Sequence, residues 1–543
     1  MTTRPGGPAR RSLAATVAVF GVLLLVLVPA LAACTGPAGD RENRSRTLHV
    51  AAGSEIRDLE PLLAEAGRAV GVTVALDYVG TLDGTEQLAS GRLGEGHAAT
   101  WFASNRYLSL EPAAAAHVVR AEKTMSSPVA LGLRRPVAER LGWADRQPTW
   151  AEIGDAAAAG RFTYGMTDPA SSNSGFSALV SVATAFADTG SALTEADVET
   201  VRPRLTGFFS AQKATAGSSG WLADEFASGR APVDGIVNYE SVLGRLDTSR
   251  LGDPLRVIVP SDGVVTADYP LALLDSADEE SRSAYDDLVG WLTTPDVQRR
   301  IAADTGRRPA VPGVAPPPAS GPGVVVEQPF PATLGTVQAL LSSFVNEVRK
   351  PSQTVYAVDV SGSMAGERIG ELRSALNALA GADPSASGRL TAFRNREKVT
   401  LLPFSSEVRP PVTVEFPRDG DRTAQQGRVR DAVAALDPGG QTALYSAVDA
   451  ALAAAGGQRD ATPDSFTSVV LMTDGLNNTG ISRAELMSRL DGASVRGIPV
   501  FVVLFGEAGP QQLEPLAAAT GGKVFDARTQ DLTAVFKEIR GYQ

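Results

Sequence analysis

The sequence predicts α/β layering throughout, in two units placed in series. Three observations carry this reading. Short apolar, β-branched runs alternate with amphipathic helical stretches from Leu48 onward. A proline-crowded stretch, Pro309–Gly323, interrupts the alternation, and a second series begins at Thr354. All 5 Trp fall before that stretch, which marks two units of different origin. The 543 residues correspond to about three or four globular units at roughly 150 residues each. With 43% hydrophobic and 20% charged residues the chain can build cores, which excludes disorder as its dominant state.

Taken in order, the chain opens on Arg4, Arg10 and Arg11, then an apolar run from Leu13 to Val28, then Leu31-Ala-Ala-Cys34. A basic start, an apolar middle and small residues before a cut site predict an export signal. A membrane-spanning helix competes with this reading. Pro29 breaks the run, however, and the only Cys of the chain follows the small residues directly. Leu-Ala-Ala-Cys resembles the bacterial lipobox, which implies a lipidated Cys34 as the mature N-terminus. We therefore expect a signal peptide over 1–33, a flexible tether over 34–47 and a location on the extracytoplasmic face of the cell membrane, held by a lipid anchor.

Next come a strand at Leu48–Ala52, a helix at Ile56–Val70 and a strand at Val72–Tyr78. Small hydroxyl residues and glycines stand where strands run into helices: Ser54, then Gly80-Thr81, then Ser171-Ser172-Asn173-Ser174-Gly175, with Tyr239 further on. Free amides and hydroxyls at helix starts suit an oxyanion. Turn and cap roles explain the same residue types equally well. On these segments and on Trp291-Leu-Thr-Thr-Pro-Asp-Val-Gln, residues 48–310 resemble the two-lobed, type II solute-binding proteins of ABC importers. The resemblance implies a periplasmic-binding-protein-like fold. It makes Ser54, Thr81, Ser171, Ser172, Asn173, Ser174, Gly175 and Tyr239 candidates for a small-solute or oxyanion cleft. Residues 311–350 are expected to form a Pro-rich linker and a helix, Leu334–Val348.

The second unit, 351–543, opens on a buried strand, Thr354–Val360, that carries Asp359-Val-Ser361-Gly-Ser363 at its end. Thr442 stands in a loop before the helix Ala443–Ala455. Ser468-Val-Val-Leu-Met-Thr-Asp474-Gly475 is a second buried strand ending in an acid. Strands at Lys398–Phe404, Ile498–Phe505 and Lys523–Phe525 and helices at Arg483–Leu490 and Leu513–Ala518 complete the series. In an open α/β sheet, ligands bind beyond the carboxyl ends of strands, where these loops lie. Asp359, Ser361, Ser363, Thr442 and Asp474 offer only oxygen, a donor set that selects Mg²⁺, or alternatively Mn²⁺ or Ca²⁺.

The chain from Thr354 to Phe536 resembles a Rossmann-like, doubly wound von Willebrand factor A domain, its five oxygen residues matching the metal-ion-dependent adhesion site in order. The resemblance implies that Ser361, Ser363 and Thr442 bind the ion through hydroxyls and that Asp359 and Asp474 act directly or through water. An acidic residue of a partner protein would fill the open position. Asn477 and Asn478 either rim the site or only stabilise its turn.

Other function classes fall away on composition. The formal charge of −11 argues against nucleic acid. None of the 3 His lies beyond position 117, and no spare carboxylate is placed as a base. There is no Gly-x-x-x-x-Gly-Lys-[Ser/Thr] loop. The expected function is therefore non-enzymatic: a lipid-anchored interaction protein, with the substrate-binding component of an ABC-type importer as the alternative.

Overall fold

The computed structural model describes residues 46–542 apart from 253, 319, 320, 322, 491, 493, 494, 507, 508 and 529–531. The expected signal peptide, Cys34 and nearly all of the tether lie outside the described residues.

The first unit has two lobes, each built on its own sheet. In lobe 1 the strands run Val72–Tyr78, Arg46–Ala52, Ala99–Trp101, Pro270–Leu274 and Val118–Lys123 across the sheet. The first three are mutually parallel and Pro270–Leu274 is antiparallel to both of its neighbours. Leu48, Val50 and Ala52 point to one face of the sheet, while Ala51 points to the other, where Leu88 and Phe102 bury it. The first three pack with Leu62, Leu63 and Ala66 of the helix Glu60–Val70. The predicted helix from Ile56 begins instead as a 3₁₀ turn, Ser54–Leu59, and Pro61 opens the α-helix proper.

Lobe 2 is centred on Met125–Arg134, nine of whose ten residues are buried. It pairs antiparallel with Gly235–Tyr239, which continues in parallel to Tyr164–Thr167 and Gln212–Ala216. The chain crosses between lobes at Thr124, at Asp268–Tyr269 and a third time between Thr305 and Arg308, so these positions form the hinge. The Thr124 hydroxyl donates to the Tyr269 carbonyl at 2.6 Å, tying the first two crossings together. Tyr269 adopts φ 42°, a left-handed conformation that a bulky side chain holds only under strain of order 1–3 kcal/mol.

The proline-rich segment runs along lobe 2 and touches it at several points. Arg308–Pro309 adds a short strand to lobe 2 beside Met125–Ser126, at a position where proline's missing N–H costs no central ladder bond. Further on, Glu327 accepts from the Thr266 amide at 3.0 Å and pairs with Arg106 at 2.6 Å. The Phe330 ring then meets Phe176 edge-on at 5.8 Å. Among the described residues of this stretch, Val324 and Val326 stand out as large exposed apolar residues. The following helix, Leu334–Ser343 with a wider π turn at Phe344–Val348, packs on lobe 2, its Phe344 ring 5.0 Å from that of Phe209.

The second unit is a six-stranded sheet ordered Val412–Phe416, Glu397–Phe404, Ser352–Asp359, Phe466–Thr473, Val500–Leu504, Val524–Asp526. All neighbours are parallel except the edge strand Val412–Phe416. In chain order this reads 3-2-1-4-5-6, the doubly wound arrangement, and the order reverses at the Asp359 strand. Because helices cover both faces, Ser352–Asp359 is buried along its whole length. The helix Leu444–Ala461 covers one face through Leu444, Ala447, Val448 and Ala451.

Candidate metal centre and cleft

The switch point of the second sheet gathers the oxygen residues. Parallel register sets Val358 opposite Met472, so Asp359 ends its strand beside Thr473 and one residue short of Asp474. Asp359 is wholly buried, and its carboxylate is held from two sides. The Ser361 amide donates to Oδ1 at 2.8 Å and the Thr473 hydroxyl to Oδ2 at 2.6 Å. From there the hydroxyls run in sequence. Ser361 Oγ lies 3.0 Å from Ser363 Oγ, which donates to Asp474 Oδ1 at 2.8 Å. Burial pushes the Asp359 carboxyl above its usual range, and the nearby Asp474 adds to the rise, opposed by the hydrogen bonds from Thr473 and Ser361.

Thr442 arrives from a separate loop. That loop is stitched to the first by Gly362 N–H donating to Gly440 O at 3.0 Å and Gly439 N–H to Val360 O at 2.8 Å. Gly440 adopts φ 87°, which a Cβ would oppose. Asn478 fixes Thr442 at both backbone ends: its side-chain oxygen accepts from the Thr442 amide at 2.7 Å, and its own amide donates to the Thr442 carbonyl at 3.0 Å. Asn477 accepts from the Tyr445 amide at the start of the following helix. The two asparagines thus hold loops together. A Cβ placed on Gly475 would lie 3.8 Å from Ser363 Oγ and 3.9 Å from Thr442 Oγ1, so a side chain is absent where the three loops meet.

These residues suit a hard divalent ion: two carboxylates and three hydroxyls from three loops, converging beside a glycine, with no nitrogen or sulfur donor among them. Sequence reasoning missed two neighbours. Thr473 had no signal beyond its place before Asp474. Arg368 reaches back from the first turn of the helix Glu367–Asn377, and its Nη1 donates to Asp474 Oδ2 at 2.5 Å and to the Ser363 carbonyl at 3.2 Å.

In the first unit the candidate cleft residues divide. Asn173 Nδ2 donates to the Tyr239 hydroxyl at 3.0 Å, which joins two of them. Ser174 is buried and spends its hydroxyl on Thr167 at 2.8 Å and Ser219 at 2.7 Å, inside lobe 2. Gly175 lies against the Thr167 carbonyl, where any Cβ would clash. Ser172 contacts the Ser174 hydroxyl, and Ser171 faces Gly541 near the C-terminus. Ser54 is exposed in lobe 1, and Thr81 opens the helix Thr81–Ala89 there.

Around Tyr239 stand three groups the sequence did not single out: Glu55, Tyr269 and Arg307. The Tyr239 and Tyr269 rings lie 6.3 Å apart, and the Arg307 guanidinium sits 4.7 Å from the Tyr269 ring. Arg307 pairs with both Asp58 oxygens at 2.8 Å and donates to the Glu55 carbonyl at 2.6 Å. The Tyr269 hydroxyl is buried, with the Arg307 guanidinium as its cationic neighbour. Burial raises the Glu55 carboxyl and pushes the Tyr269 phenol up to about 12.

Residues 115–324 match the family of bacterial extracellular solute-binding proteins, and residues 355–538 match the von Willebrand factor type A domain. No curated protein matches the chain. Similar solved structures include iron-bound HitA from Pseudomonas aeruginosa, at 14% identity over 55% of this chain and 97% of that one, TM-score 0.43. Another is the periplasmic binding protein AfuA from Actinobacillus pleuropneumoniae with fructose-6-phosphate, at 12% over 56% and 99%, TM-score 0.43. A third is the ferric binding protein from Campylobacter jejuni, at 12% over 55% and 96%, TM-score 0.40.

Proposed function

We propose that this chain, a solute-binding-protein domain joined to a von Willebrand factor A domain, is a lipid-anchored extracytoplasmic interaction protein. Its second domain holds a divalent cation, Mg²⁺ by preference, through Ser361, Ser363 and Thr442, with Asp359 and Asp474 acting directly or through water. The observation that carries this reading is the run of contacts from Asp359 through Ser361 and Ser363 to Asp474, with Thr442 on the far side of Gly475. When bound, the ion would supply an electrophile for the carboxylate of an acidic residue on a partner protein. The chain's own part is to preorganise the oxygens. Thr473 and the Ser361 amide fix Asp359, and Asn478 fixes the Thr442 backbone, so little ordering is left for the moment of binding. Neutral hydroxyls also leave more of the ion's charge for the partner than a ring of carboxylates would.

The test is a pull-down from membranes with the full chain, in Mg²⁺ and in EDTA, comparing wild type with Asp359→Ala. Loss of the same partner under both treatments is expected. A partner retained through both would leave the second domain as a scaffold with an unused loop.

A second reading, capture of a small solute or oxyanion for a permease, draws on the Asn173–Tyr239 contact and the Tyr269, Arg307 and Glu55 groups beside it. A thermal-shift screen of phosphate, sulfate, molybdate and sugar phosphates on wild type and Tyr239→Phe tests it. A shift present in wild type and lost in the variant supports the cleft, and no shift with any of them argues against it.

A further inference from the structure

The contacts between the two units are distributed in a particular way. The C-terminal helix Leu532–Arg540 and the residues that follow it touch both lobes. Toward lobe 1, Lys537 Nζ donates to Asp83 Oδ1 at 2.9 Å, on the helix that begins at Thr81. The same Nζ donates to Ser387 Oγ at 2.9 Å, and the Ser387 amide donates to Glu86, also on that lobe 1 helix, at 3.1 Å. Toward lobe 2, the Tyr542 ring meets Trp221 edge-on at 4.7 Å, and Thr215 Oγ1 donates to the Gly541 carbonyl at 3.4 Å. Gly217 leaves only enough room for the Glu538 carbonyl, since a Cβ there would sit 2.9 Å from it.

A second link reaches the cleft loop itself. Arg349, buried where the second unit begins, donates to Asp168 Oδ2 at 3.4 Å. Asp168 Oδ1 in turn accepts from the Ala170 amide at 2.6 Å. Asp168 thus shapes the loop that leads to Asn173, the residue on Tyr239. The loop is held from behind by Arg349, the last step of the connecting helix before the second unit, while its front carries the candidate cleft residue.

We propose that the von Willebrand factor A unit acts as a brace across the hinge and so senses the state of the cleft. Any change in the angle between lobes must either break the Lys537–Asp83 end or the Tyr542–Trp221 end, or carry the second unit along with one lobe. Hinge angle and docking of the second unit are then one equilibrium. By linkage, a ligand that changes the angle changes the docking, and anything that shifts the docking changes affinity at the cleft by the same factor. The chain is a receptor whose occupancy is reported by its own second domain. This inference uses no metal; it rests on the second reading above for the cleft, while the distance measurement below tests the brace without any ligand.

The test measures the hinge directly in the full chain. Cys34→Ser removes the single native thiol, and Ala69→Cys in lobe 1 with Thr200→Cys in lobe 2, both exposed, take nitroxide labels for distance measurement. The parent protein should give one narrow inter-lobe distance. Lys537→Ala and Tyr542→Ala should each at least double the width of that distribution or add a second distance. Lys537→Glu should do the same, and its combination with Asp83→Lys should restore the narrow distribution. Melting temperatures and circular dichroism identify variants that fold, and a merely structural role would lower the melting temperature without moving the distances. Distances unchanged in folded Lys537→Ala and Tyr542→Ala overturn the proposal. So does a parent distribution that is already broad.

Discussion

At the scale of single residues, the oxygen donors carry the sharpest expectations. A ligand that binds only the folded state adds about 2.7 kcal/mol of stability when present at 100 times its Kd. Thr442→Ala removes one hydroxyl from a loop whose backbone is still held by Asn478. A tenfold loss of affinity would then cut the stabilisation by about 1.3 kcal/mol, with the metal-free melting temperature nearly unchanged. Asp359→Ala should abolish the magnesium response. Melting curves with and without Mg²⁺ read both. A full magnesium shift in Asp359→Ala would remove that residue from the site. A different residue sets a pH dependence. Burial and the neighbouring Lys213 push Lys350 down to about 8, against an ordinary lysine value near 10.5. The folded chain therefore releases this proton near pH 8 while the unfolded chain keeps it to about 10.5. Between those values the unfolded state binds more protons, so stability climbs as pH rises. Urea unfolding across pH 7.5 to 9.5 should show wild type gaining on Lys350→Gln. Parallel profiles would contradict the shift.

At the scale of elements, the helix from Leu334 and its π turn matter more than a connector would. Phe344 is buried against Phe209, and Val337, Leu340 and Leu341 belong to the same core. Phe344→Ala should cost about 3–5 kcal/mol, as large truncations in packed cores do, measured by denaturant unfolding. A cost below 1 kcal/mol would mean that the helix merely rests on the lobe. Glu397, at the head of its strand, is the more fragile neighbour. Burial alone would raise its carboxyl, but the guanidiniums of Arg540, Arg394 and Arg349 hold it below the usual range. Arg540 Nη2 lies 2.6 Å from Glu397 Oε1. Glu397→Gln leaves three buried guanidiniums short of a carboxylate, so a loss of about 3 kcal/mol or more is expected. An unchanged unfolding midpoint would show that Asp168 alone suffices for the cluster. The strands and most helices were legible because periodicity and β-branched runs are local. The role of the 309–330 stretch was not, because proline content reports what a backbone cannot do and says nothing of the sheet edge beside it.

At the scale of the whole molecule, Cys34→Ala should release the protein from membranes or leave it unprocessed. Fractionation and mass measurement of the mature N-terminus check this. A mature wild-type chain that starts elsewhere and carries no lipid would refute the anchor.

The sequence by itself determined the class of each unit, and it offered a boundary near the proline-rich stretch and five oxygen residues of the second unit as a candidate site. Each of these is written in short windows, as a periodicity, a composition shift or a motif at a strand end. Only the tertiary structure decided what stands beside them. Thr473 and Arg368 reach the candidate metal site, and Tyr269, with Glu55 and Arg307 nearby, stands beside Tyr239, through the meeting of residues far apart in the chain, which no local pattern records. The same holds for Lys537 on Asp83, 454 positions apart. Apolar spacing selects which face of an element is buried, but the partner that buries it is selected by packing of the complete fold.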